Sequence, residues 1–576
     1  MKKVKGLSAS KGYAIGEMVV KGKHTKETPK FSITDYKAEE LRFRKAQAEY
    51  NKELDALYIK TKEEISENDA EIFQAYQTIL HDEELFGKAL KRSAEEMVNI
   101  EYAIECECNG IVAIFETMDD EYLRERATDI QNVCKKVIEI LLGGENDFLK
   151  EIEGKSDLII VADDLAPSET VVIDKTKLRA LVTEKGGVTS HTAILAKAMG
   201  IPAIVGASGI LAVAETGEKA LVNAFKGEII LEPTAEEEKS FALLKEEYDK
   251  KNKVYKEAEK APAISLDGVK MNVNINSGDK ESMEIFNPDV CDGIGLFRTE
   301  FLYMDGNDYP DEERQYKVYS TIAEKAKGKE VIIRTLDIGG DKEVPYMNLP
   351  KEDNPFLGYR AIRICLNEPE IFMTQLRAIL RATAHGNIKI MFPMIVNLEE
   401  VLKAKEMVEK AKKQLLEEGH KVSEHVDIGI MIETPAAVML SDVLAEHVDF
   451  FSIGSNDLIQ YTTATDRLNE KVQHLYDCCN ISFLRSVKMI AENAKKAGKY
   501  IGICGETASE AILIPLWLAL GIDELSVAPS QLGKVKYLIG RMAKTSVQEL
   551  MNEVMSMHKI EDVRARLESF LEEIDR

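Results

Sequence analysis

The sequence predicts a multidomain α/β protein: a small α/β domain with an inserted helical bundle, then a helical linker and a carboxy-terminal (β/α)8 (TIM) barrel. Three observations indicate this fold class. One long segment is apolar at helical spacing, short strand-like runs surround it, and eight further apolar runs alternate with helical patterns in the rest of the chain. A chain of 576 residues can hold several such domains.

The helical segment comes first. Residues 35–142 are rich in charge, nearly free of Gly and Pro, and apolar at helical spacing, as at Leu41, Ala48 and Leu54. Gly143 and Gly144 can end the last helix, because glycine adopts the backbone conformation that commonly follows a helix. We therefore predict a helical bundle over residues 25–144.

Strand-like runs after the bundle predict a compact α/β domain, with one helix over residues 192–199. We expect residues 1–20, which contain Gly6, Gly12 and Gly16, to add strands to the same domain. The bundle is then an insertion, and the domain comprises residues 1–24 and 145–233. The later strand-like runs are 158–162, 180–183, 203–205, 220–222 and 228–231.

The second half of the chain begins after a helical linker. Residues 234–262 are dense in Glu, Lys and Ala and end at Pro262, which favours a helix that stops there. Residues 263–576 contain eight apolar runs with helical patterns between them, which predicts the barrel. The runs are 271–275, 293–297, 331–336, 388–394, 428–432, 450–453, 500–503 and 524–527.

Chemically competent side chains lie at the carboxyl ends of several of these runs. In a (β/α)8 barrel the carboxyl ends of the strands converge on the active-site face. We therefore expect one site to collect these side chains, which are Arg298, Arg334, Glu433, Asn456, Asp457 and Cys504.

Charge and composition exclude several classes of function. The 75 basic and 100 acidic residues give a net charge of −25, which repels phosphate backbones, so we expect no nucleic acid partner. No apolar run is long enough to span a bilayer and no secretory signal is visible, so we expect a cytoplasmic protein without membrane insertion. The eight cysteines lack the spacing of a zinc site or disulfide framework.

His191 lies in the run GGVTSHT at residues 186–192, just before the predicted helix. Free backbone N–H groups and the helix dipole at a helix start favour a negative group, so they would stabilise a phosphoryl group on the imidazole. Imidazole titrates near neutrality and is a competent nucleophile. The alternative, from the residues alone, is that Ser190, His191 and Thr192 merely cap the helix.

Residues 186–206, which end in GIPAIVG, resemble the phosphohistidine segment of the phosphoenolpyruvate-utilising enzymes, with His191 at the phosphorylated position. The length and the order of parts resemble Enzyme I of the sugar phosphotransferase systems over essentially the whole chain, and KGLSAS at 5–10 and LAPSET at 165–170 match it too. The resemblance implies a swivelling phosphohistidine domain, a bundle that binds the carrier protein HPr, and a barrel that binds phosphoenolpyruvate and forms a homodimer.

Three arginines could bind this substrate: Arg298 in GLFRTE, Arg334 in RTLDIGGDK and Arg360 in NPFLGYR. Guanidinium groups suit phosphate and carboxylate, and phosphoenolpyruvate carries both. Glu433 and Asp457 offer the hard oxygen ligands that Mg²⁺ prefers. Taken singly, each of these side chains could instead be a solvated or ion-paired residue.

The resemblance also implies individual roles. Glu433 and Asp457 match the Mg²⁺ ligands, and Asn456, Asp457 and Arg467 match residues that hold the substrate. Cys504 matches the group that protonates the enolate of pyruvate, as a mostly protonated thiol can do; a buried structural cysteine is the alternative. The chain departs from the Enzyme I pattern at Lys11, Val188, Thr507 to Ser509, and Cys478 to Ser482.

The predicted activity is transfer of the phosphoryl group of phosphoenolpyruvate to His191 and then to HPr, with release of pyruvate. A pyruvate phosphate dikinase or phosphoenolpyruvate synthase would share the histidine and the barrel, but it needs a nucleotide-binding domain for which no residues are left over. A lyase built on a similar barrel would not explain His191. A binding protein that has lost catalysis would not need the retained acids, arginines and thiol.

Overall fold

The computed structural model divides the chain into two compact units, residues 1–249 and 250–576. It describes residues 2–21, 28–64, 67–116, 121–143, 152, 154–165, 176–187, 192–193, 196, 200–304, 306, 308–340, 342, 344–469 and 471–575.

The first unit contains a sheet whose eight described strands run in the order β1-β8-β7-β3-β4-β5-β6-β2. Residues of β4 pack alternately into two apolar clusters on opposite faces of this sheet, as successive side chains of a strand must. Strands from both sides of the helical segment share the sheet, as predicted. They are β1 (Lys2–Lys5), β2 (Leu7–Ser10), β3 (Tyr13–Lys21), β4 (Leu158–Ala162), β5 (Leu178–Thr183), β6 (Ala203–Val205), β7 (Lys219–Asn223) and β8 (Glu228–Leu231).

Between β3 and β4 the chain forms the predicted helices. The apolar faces of these amphipathic helices pack together in a core that includes Phe43, Tyr50, Phe73 and Tyr76. Burial of these faces determines how the helices associate. Gly143 follows the last of them with a φ of +67°, the conformation expected of a glycine after a helix. The helices are α1 (Tyr36–Glu64), α2 (Glu67–Leu80), α3 (Lys88–Glu96), α4 (Ile100–Glu116) and α5 (Glu121–Leu141).

After the short α6 (Ile210–Val213), the predicted linker is the helix α7 (Ala235–Ala258). Its start is capped reciprocally: the Thr234 hydroxyl accepts from the Glu237 N–H at 3.3 Å, and the Glu237 carboxylate accepts from the Thr234 N–H at 3.0 Å.

The second unit contains a closed barrel of parallel strands, which confirms the predicted fold class. Strand β16 pairs with β9 and completes the ring. The described strands are β9 (Asn272–Ser277), β10 (Gly293–Phe297), β11 (Glu330–Arg334), β12 (Asn387–Phe392), β13 (Ile428–Ile432), β14 (Phe450–Gly454), β15 (Tyr500–Cys504) and β16 (Glu524–Val527).

Helices cover the barrel and contribute to one continuous apolar core with its strands. No helix in the described part of the chain is both long and apolar enough to cross a bilayer. The helices are α8 (Lys280–Ile285), α9 (Phe301–Met304), α10 (Glu312–Lys325), α11 (Ile362–Asn367), α12 (Pro369–Ala382), α13 (Leu398–Glu417), α14 (Pro435–Met439), α15 (Ser441–Ala445), α16 (Ser455–Thr463), α17 (Ile481–Lys496), α18 (Ile514–Leu520), α19 (Leu532–Gly540), α20 (Lys544–Ser556) and α21 (Ile560–Asp575).

Candidate active site

The carboxyl ends of the barrel strands carry the side chains that the sequence singled out. Arg334 and Cys504 are the last residues of β11 and β15, and Glu433 directly follows β13. Asn456 and Asp457 lie in the first turn of α16, which follows β14 without a loop. Because the strands are parallel and closed into a ring, these residues share one end of the barrel.

Two buried arginines are joined there by one carboxylate. Arg334 Nη1 lies 2.9 Å from Asp337 Oδ2, and Arg360 Nη2 lies 2.9 Å from Asp337 Oδ1. A second acid, Glu300, accepts from Arg334 Nη2 at 2.8 Å. Burial alone would raise the pKa of Asp337, but Arg334 and Arg360 reverse this and hold it well below its usual range. The arginines are therefore held in place in their charged form.

Asp457 extends this network toward the loop after α16. Its Oδ1 lies 3.5 Å from Arg360 Nη1 and 3.4 Å from Arg467 Nη1. Arg360 Nη1 also donates to the Tyr461 hydroxyl at 3.2 Å, and this hydroxyl donates in turn to the Phe356 carbonyl. The guanidinium groups of Arg360 and Arg467 lie 5.8 and 5.6 Å from the centre of the Phe356 ring, within cation–π range.

Glu433 has one satisfied oxygen and one unsatisfied oxygen. Its Oε1 accepts from the Met394 N–H at 2.6 Å, whereas its buried Oε2 has no hydrogen-bond partner among the described residues. Burial, with the nearby charge of Asp457, raises the pKa of Glu433 above its ordinary value. A side chain at Gly454 would place its Cβ only 2.7 Å from this Oε2, so glycine leaves room beside the carboxylate.

Cys504 is 2 % exposed and contacts polar groups of β14. The Ser452 hydroxyl donates to its sulfur at 3.7 Å, and the thiol donates to the Ile453 carbonyl at 3.4 Å. Burial raises the pKa of Cys504 to about 11, although Ser452 and the charge of Arg334 act in the opposite direction. The group is therefore a protonated thiol at neutral pH, as a proton donor must be.

Asn456 and Arg298 complete the set at this end of the barrel. The Asn456 side-chain oxygen accepts from the Glu506 N–H at 3.1 Å. Gly505, with a φ of +90°, precedes Glu506, and a Cβ there would lie 2.8 Å from the Asn456 oxygen. Arg298 is exposed directly after β10, at the same end of the barrel, and its charge lowers the pKa of Cys504.

His191 lies outside the described residues, as does most of the predicted helix over 192–199. The adjacent Thr192 is buried, and its hydroxyl is 3.4 Å from Asp164 Oδ1. Burial also raises the pKa of Asp164.

The structure thus brings Arg334, Arg360, Asn456, Asp457, Glu433, Arg467 and Cys504 to one end of the barrel, with Arg298 at its edge. The sequence prediction missed the supporting acids Glu300 and Asp337 and the hydroxyl of Tyr461. A signal existed for Asp337, which follows Arg334 by three residues just past a strand, whereas Tyr461 lies inside a helix that shows no such signal.

Comparison with known proteins identifies relatives over nearly the whole chain. Three family models match: PEP-utilising enzyme, PEP-binding domain over residues 252–544, the N-terminal domain over 5–126, and the mobile domain over 154–227. The chain is 39% identical to the phosphoenolpyruvate-protein phosphotransferase of Priestia megaterium over 562 residues, 98% of each chain. It is 40% identical to the protein of that name from Bacillus subtilis over 572 residues, 98% of this chain and 99% of the relative.

Proposed function

Because the chain belongs to the phosphoenolpyruvate-utilising enzymes, we propose that it transfers the phosphoryl group of phosphoenolpyruvate to its own His191 and then to a histidine of the carrier protein HPr. Pyruvate is released in the first step. The chain is thus a phosphotransferase that performs the first general step of a sugar phosphotransferase system.

The observation that carries the proposal is the pair of buried arginines on Asp337, beside Glu433 and Asp457. Phosphoenolpyruvate presents a phosphate and a carboxylate, and fixed guanidinium groups bind both. Arg334 and Arg360 are pre-organised by their ion pairs, and the more exposed Arg298 and Arg467 can close on the substrate. Asn456 contributes an amide to the same surface.

The acids of the site fit Mg²⁺. The Oε2 of Glu433, which has no hydrogen-bond partner in the described part of the chain, is a buried hard oxygen beside Gly454. Asp457 supplies a second carboxylate within the same network. Two carboxylates leave positions for water and substrate oxygens, as Mg²⁺ sites usually do. When bound, the ion neutralises the phosphate charge. Glu433 and Asp457 are the residues that would hold it.

In the first step, an imidazole nitrogen of His191 attacks phosphorus, a nitrogen–phosphorus bond forms, and the bond from phosphorus to the enol oxygen breaks. The arginines stabilise the charge of the phosphoryl group and of the departing enolate. The thiol of Cys504 donates its proton to the methylene carbon, which gives pyruvate. The resulting thiolate must recover a proton before the next turnover.

We assign the second step, the transfer to HPr, to a carrier docked on the helical bundle. The proposed domains are a phosphohistidine domain at 1–24 and 145–233, an HPr-binding bundle at 25–144, a linker at 234–262 and a substrate-binding barrel at 263–576. The protein is proposed to act in the cytoplasm.

We also propose that the barrel forms a homodimer. Exposed apolar side chains support a protein partner on this unit: Met439 is 71% exposed on α14, and Val443 on α15 and Met489 on α17 are 39% and 41% exposed. Both short helices pack against α17, so these side chains belong to neighbouring elements.

The test is incubation of the full chain with Mg²⁺ and phosphoenolpyruvate labelled on phosphorus, without nucleotide. We expect an acid-labile phosphoprotein that loses its label to added HPr. The His191→Ala variant should take up no label but should still bind phosphoenolpyruvate. Label in this variant would reject His191 as the acceptor, and a requirement for nucleotide would favour the dikinase alternative.

A further inference from the structure

Cys478 and Cys479 form a pair of adjacent thiols in the turn before α17. Their sulfur atoms and a carboxylate oxygen of Asp477 all lie within 4.8 Å of one another. Cys479 is fully buried, whereas Cys478 is partly exposed. Cys478 is therefore the more accessible residue of the pair, and Cys479 is shielded beside it.

Hydrogen bonds hold this turn in one conformation. Asp477 accepts from the Cys479 N–H at 2.7 Å through its side chain and from the Asn480 N–H at 3.0 Å through its carbonyl. Arg564 on α21 donates to both carboxylate oxygens of Asp477, at 2.8 and 2.9 Å. The two thiols are thus kept adjacent, with a guanidinium charge close by.

The two thiols differ in acidity. A hydrogen bond from the Cys479 thiol lowers the pKa of Cys478, although burial and the charges of Glu510 and Asp477 act in the opposite direction. The same bond, together with burial, raises the pKa of Cys479. Because Cys478 is the more exposed residue and the thiolate is the reactive form of cysteine, Cys478 is the nucleophile of the pair and Cys479 the thiol that can resolve its product.

The turn is connected to the candidate active site through Tyr476. Its hydroxyl donates to the Asn456 carbonyl at 3.2 Å. The side chain of Asn456 in turn accepts from the Glu506 N–H, two residues after Cys504. A movement of the turn would therefore act on a residue proposed to hold phosphoenolpyruvate.

We propose that Cys478 and Cys479 are a reversible redox site that weakens phosphoenolpyruvate binding when a hydroperoxide oxidises the pair. This inference rests on the proposed function. The Cys478 thiolate attacks the peroxide, the oxygen–oxygen bond breaks, and a sulfenic acid and hydroxide or alkoxide form. The Cys479 thiol then displaces the sulfenic oxygen as water and forms a disulfide. The two thiols lose two electrons in total, and the peroxide gains them.

Closure of this bond must rearrange the turn. Bonded sulfur atoms are about 2 Å apart, and two adjacent residues can reach that separation only through a tight ring that includes the peptide bond between them. We expect this rearrangement to weaken the hydrogen bond from Cys479 to Asp477 and the neighbouring bond from Tyr476 to Asn456. A strained disulfide of this kind is easily reduced, so a thiol reductant restores the starting state.

The test treats the full chain with hydrogen peroxide, then blocks free thiols and measures the mass of the peptide that contains both cysteines. We expect a peptide lighter by two hydrogen atoms, with neither thiol blocked. In the same sample, the KM for phosphoenolpyruvate should rise about 5- to 10-fold. Dithiothreitol should reverse both changes. Phosphoryl transfer measured before oxidation tests the proposed function. The mass change tests disulfide formation separately, because it does not depend on enzymatic activity.

Variants distinguish the disulfide from general damage. Cys479→Ser should accumulate a sulfenic acid on Cys478 that reacts with dimedone, and Cys478→Ser should resist oxidation at this turn. Cys108 and Cys134 are an internal control, since they are hydrogen-bonded to each other but both buried, and they should stay reduced. Three results would overturn the proposal. They are a disulfide that leaves the KM for phosphoenolpyruvate unchanged, no disulfide after peroxide treatment, and a peroxide-induced rise in KM in Cys478→Ser equal to that of the wild type.

Discussion

The two ends of the barrel both bury charged side chains, but they compensate the charge in different ways. At the carboxyl ends, Asp337 lies between Arg334 and Arg360 and its pKa falls. At the amino ends, Glu524 is 2 % exposed beside a second acid, Glu330, and burial together with Glu330 raises its pKa to about 8. Asp337 is therefore ionised at neutral pH, whereas Glu524 retains a proton.

The amino end relies on a small polar network. Lys389 lies 3.1 Å from Glu330 and 3.3 Å from Asp427, and Asn274 donates to Glu330 at 2.9 Å. These contacts compensate the negative charge of Glu330, whereas Glu524 is buried as a neutral acid. In (β/α)8 barrels the carboxyl ends carry the chemistry and the amino ends mainly stabilise the fold. Burial of an acid alone therefore does not identify a site, since Glu433 and Glu524 both have raised pKa values; at the carboxyl end the acids lie beside two arginines that Asp337 pairs.

The largest expected effect is that of Asp337→Ala. The change leaves two buried guanidinium groups without their shared carboxylate, so the free energy of unfolding should fall by about 3–5 kcal/mol and phosphoenzyme formation should be lost. Urea denaturation and labelling with phosphoenolpyruvate measure the two effects. As a control, Glu418→Ala removes an acid from the exposed ion pair with Arg377 and should change stability much less. Equal losses in the free energy of unfolding in the two variants would show that the buried ion pairs contribute no more to stability than the exposed one.

Substitution of Glu433 separates charge from packing. Glu433→Ala and Glu433→Gln should both suppress autophosphorylation and weaken its Mg²⁺ dependence, because both remove the proposed anionic ligand. Only the Gln variant keeps an oxygen that can accept from the Met394 N–H. Mg²⁺ titrations of labelling are the measurement. Normal titrations for Gln and impaired titrations for Ala would show that Glu433 acts through packing alone.

For Cys504→Ser we expect slow pyruvate release with retained affinity for phosphoenolpyruvate. A serine hydroxyl is a far weaker acid than a thiol, and positioned general acids contribute roughly 10²- to 10⁴-fold to rate. Steady-state kinetics separate kcat from KM. Cys365→Ser replaces another buried barrel thiol and controls for the general cost of burying a hydroxyl. Lost affinity with normal turnover of bound substrate would contradict the proposed role of Cys504.

The smallest effect on phosphoryl transfer is expected at the amino end, from Glu524→Gln. The folded state raises the pKa of Glu524 from its ordinary 4.5 to about 8, so folding takes up a proton and the wild-type free energy of unfolding falls as pH rises through this window. Gln removes this dependence.

The stability of Glu524→Gln relative to wild type should therefore increase from pH 5 to pH 8 and level off above it. Urea denaturation across this range tests the change, with the exposed Glu549→Gln as its control. A relative stability that does not change between pH 5 and pH 8 would mean that Glu524 is ionised in the folded protein.

Most of the barrel could be predicted because each strand is a short apolar run. The predicted runs 293–297, 428–432 and 524–527 coincide with β10, β13 and β16. The runs 331–336 and 388–394 extend beyond β11 and β12, since apolar residues continue into the loops that support the site. Leu336 and Met394 are buried in loops and are apolar for that reason, as strand residues are. The sequence shows that a residue is apolar but not whether its backbone pairs with a neighbouring strand, so these loop residues look like strand residues.

The sequence by itself determined the fold class, the order of the domains and the residue types that can bind an anion and a divalent cation. These depend on local periodicity and on functional groups that every residue carries with it. Only the tertiary structure decided that Asp337 joins Arg334 to Arg360, that one oxygen of Glu433 has no hydrogen-bond partner among the residues described, and that Glu524 loses its charge. Each of these three features depends on desolvation and on neighbours that the closed barrel brings together. A local stretch of sequence determines neither the desolvation nor the neighbours.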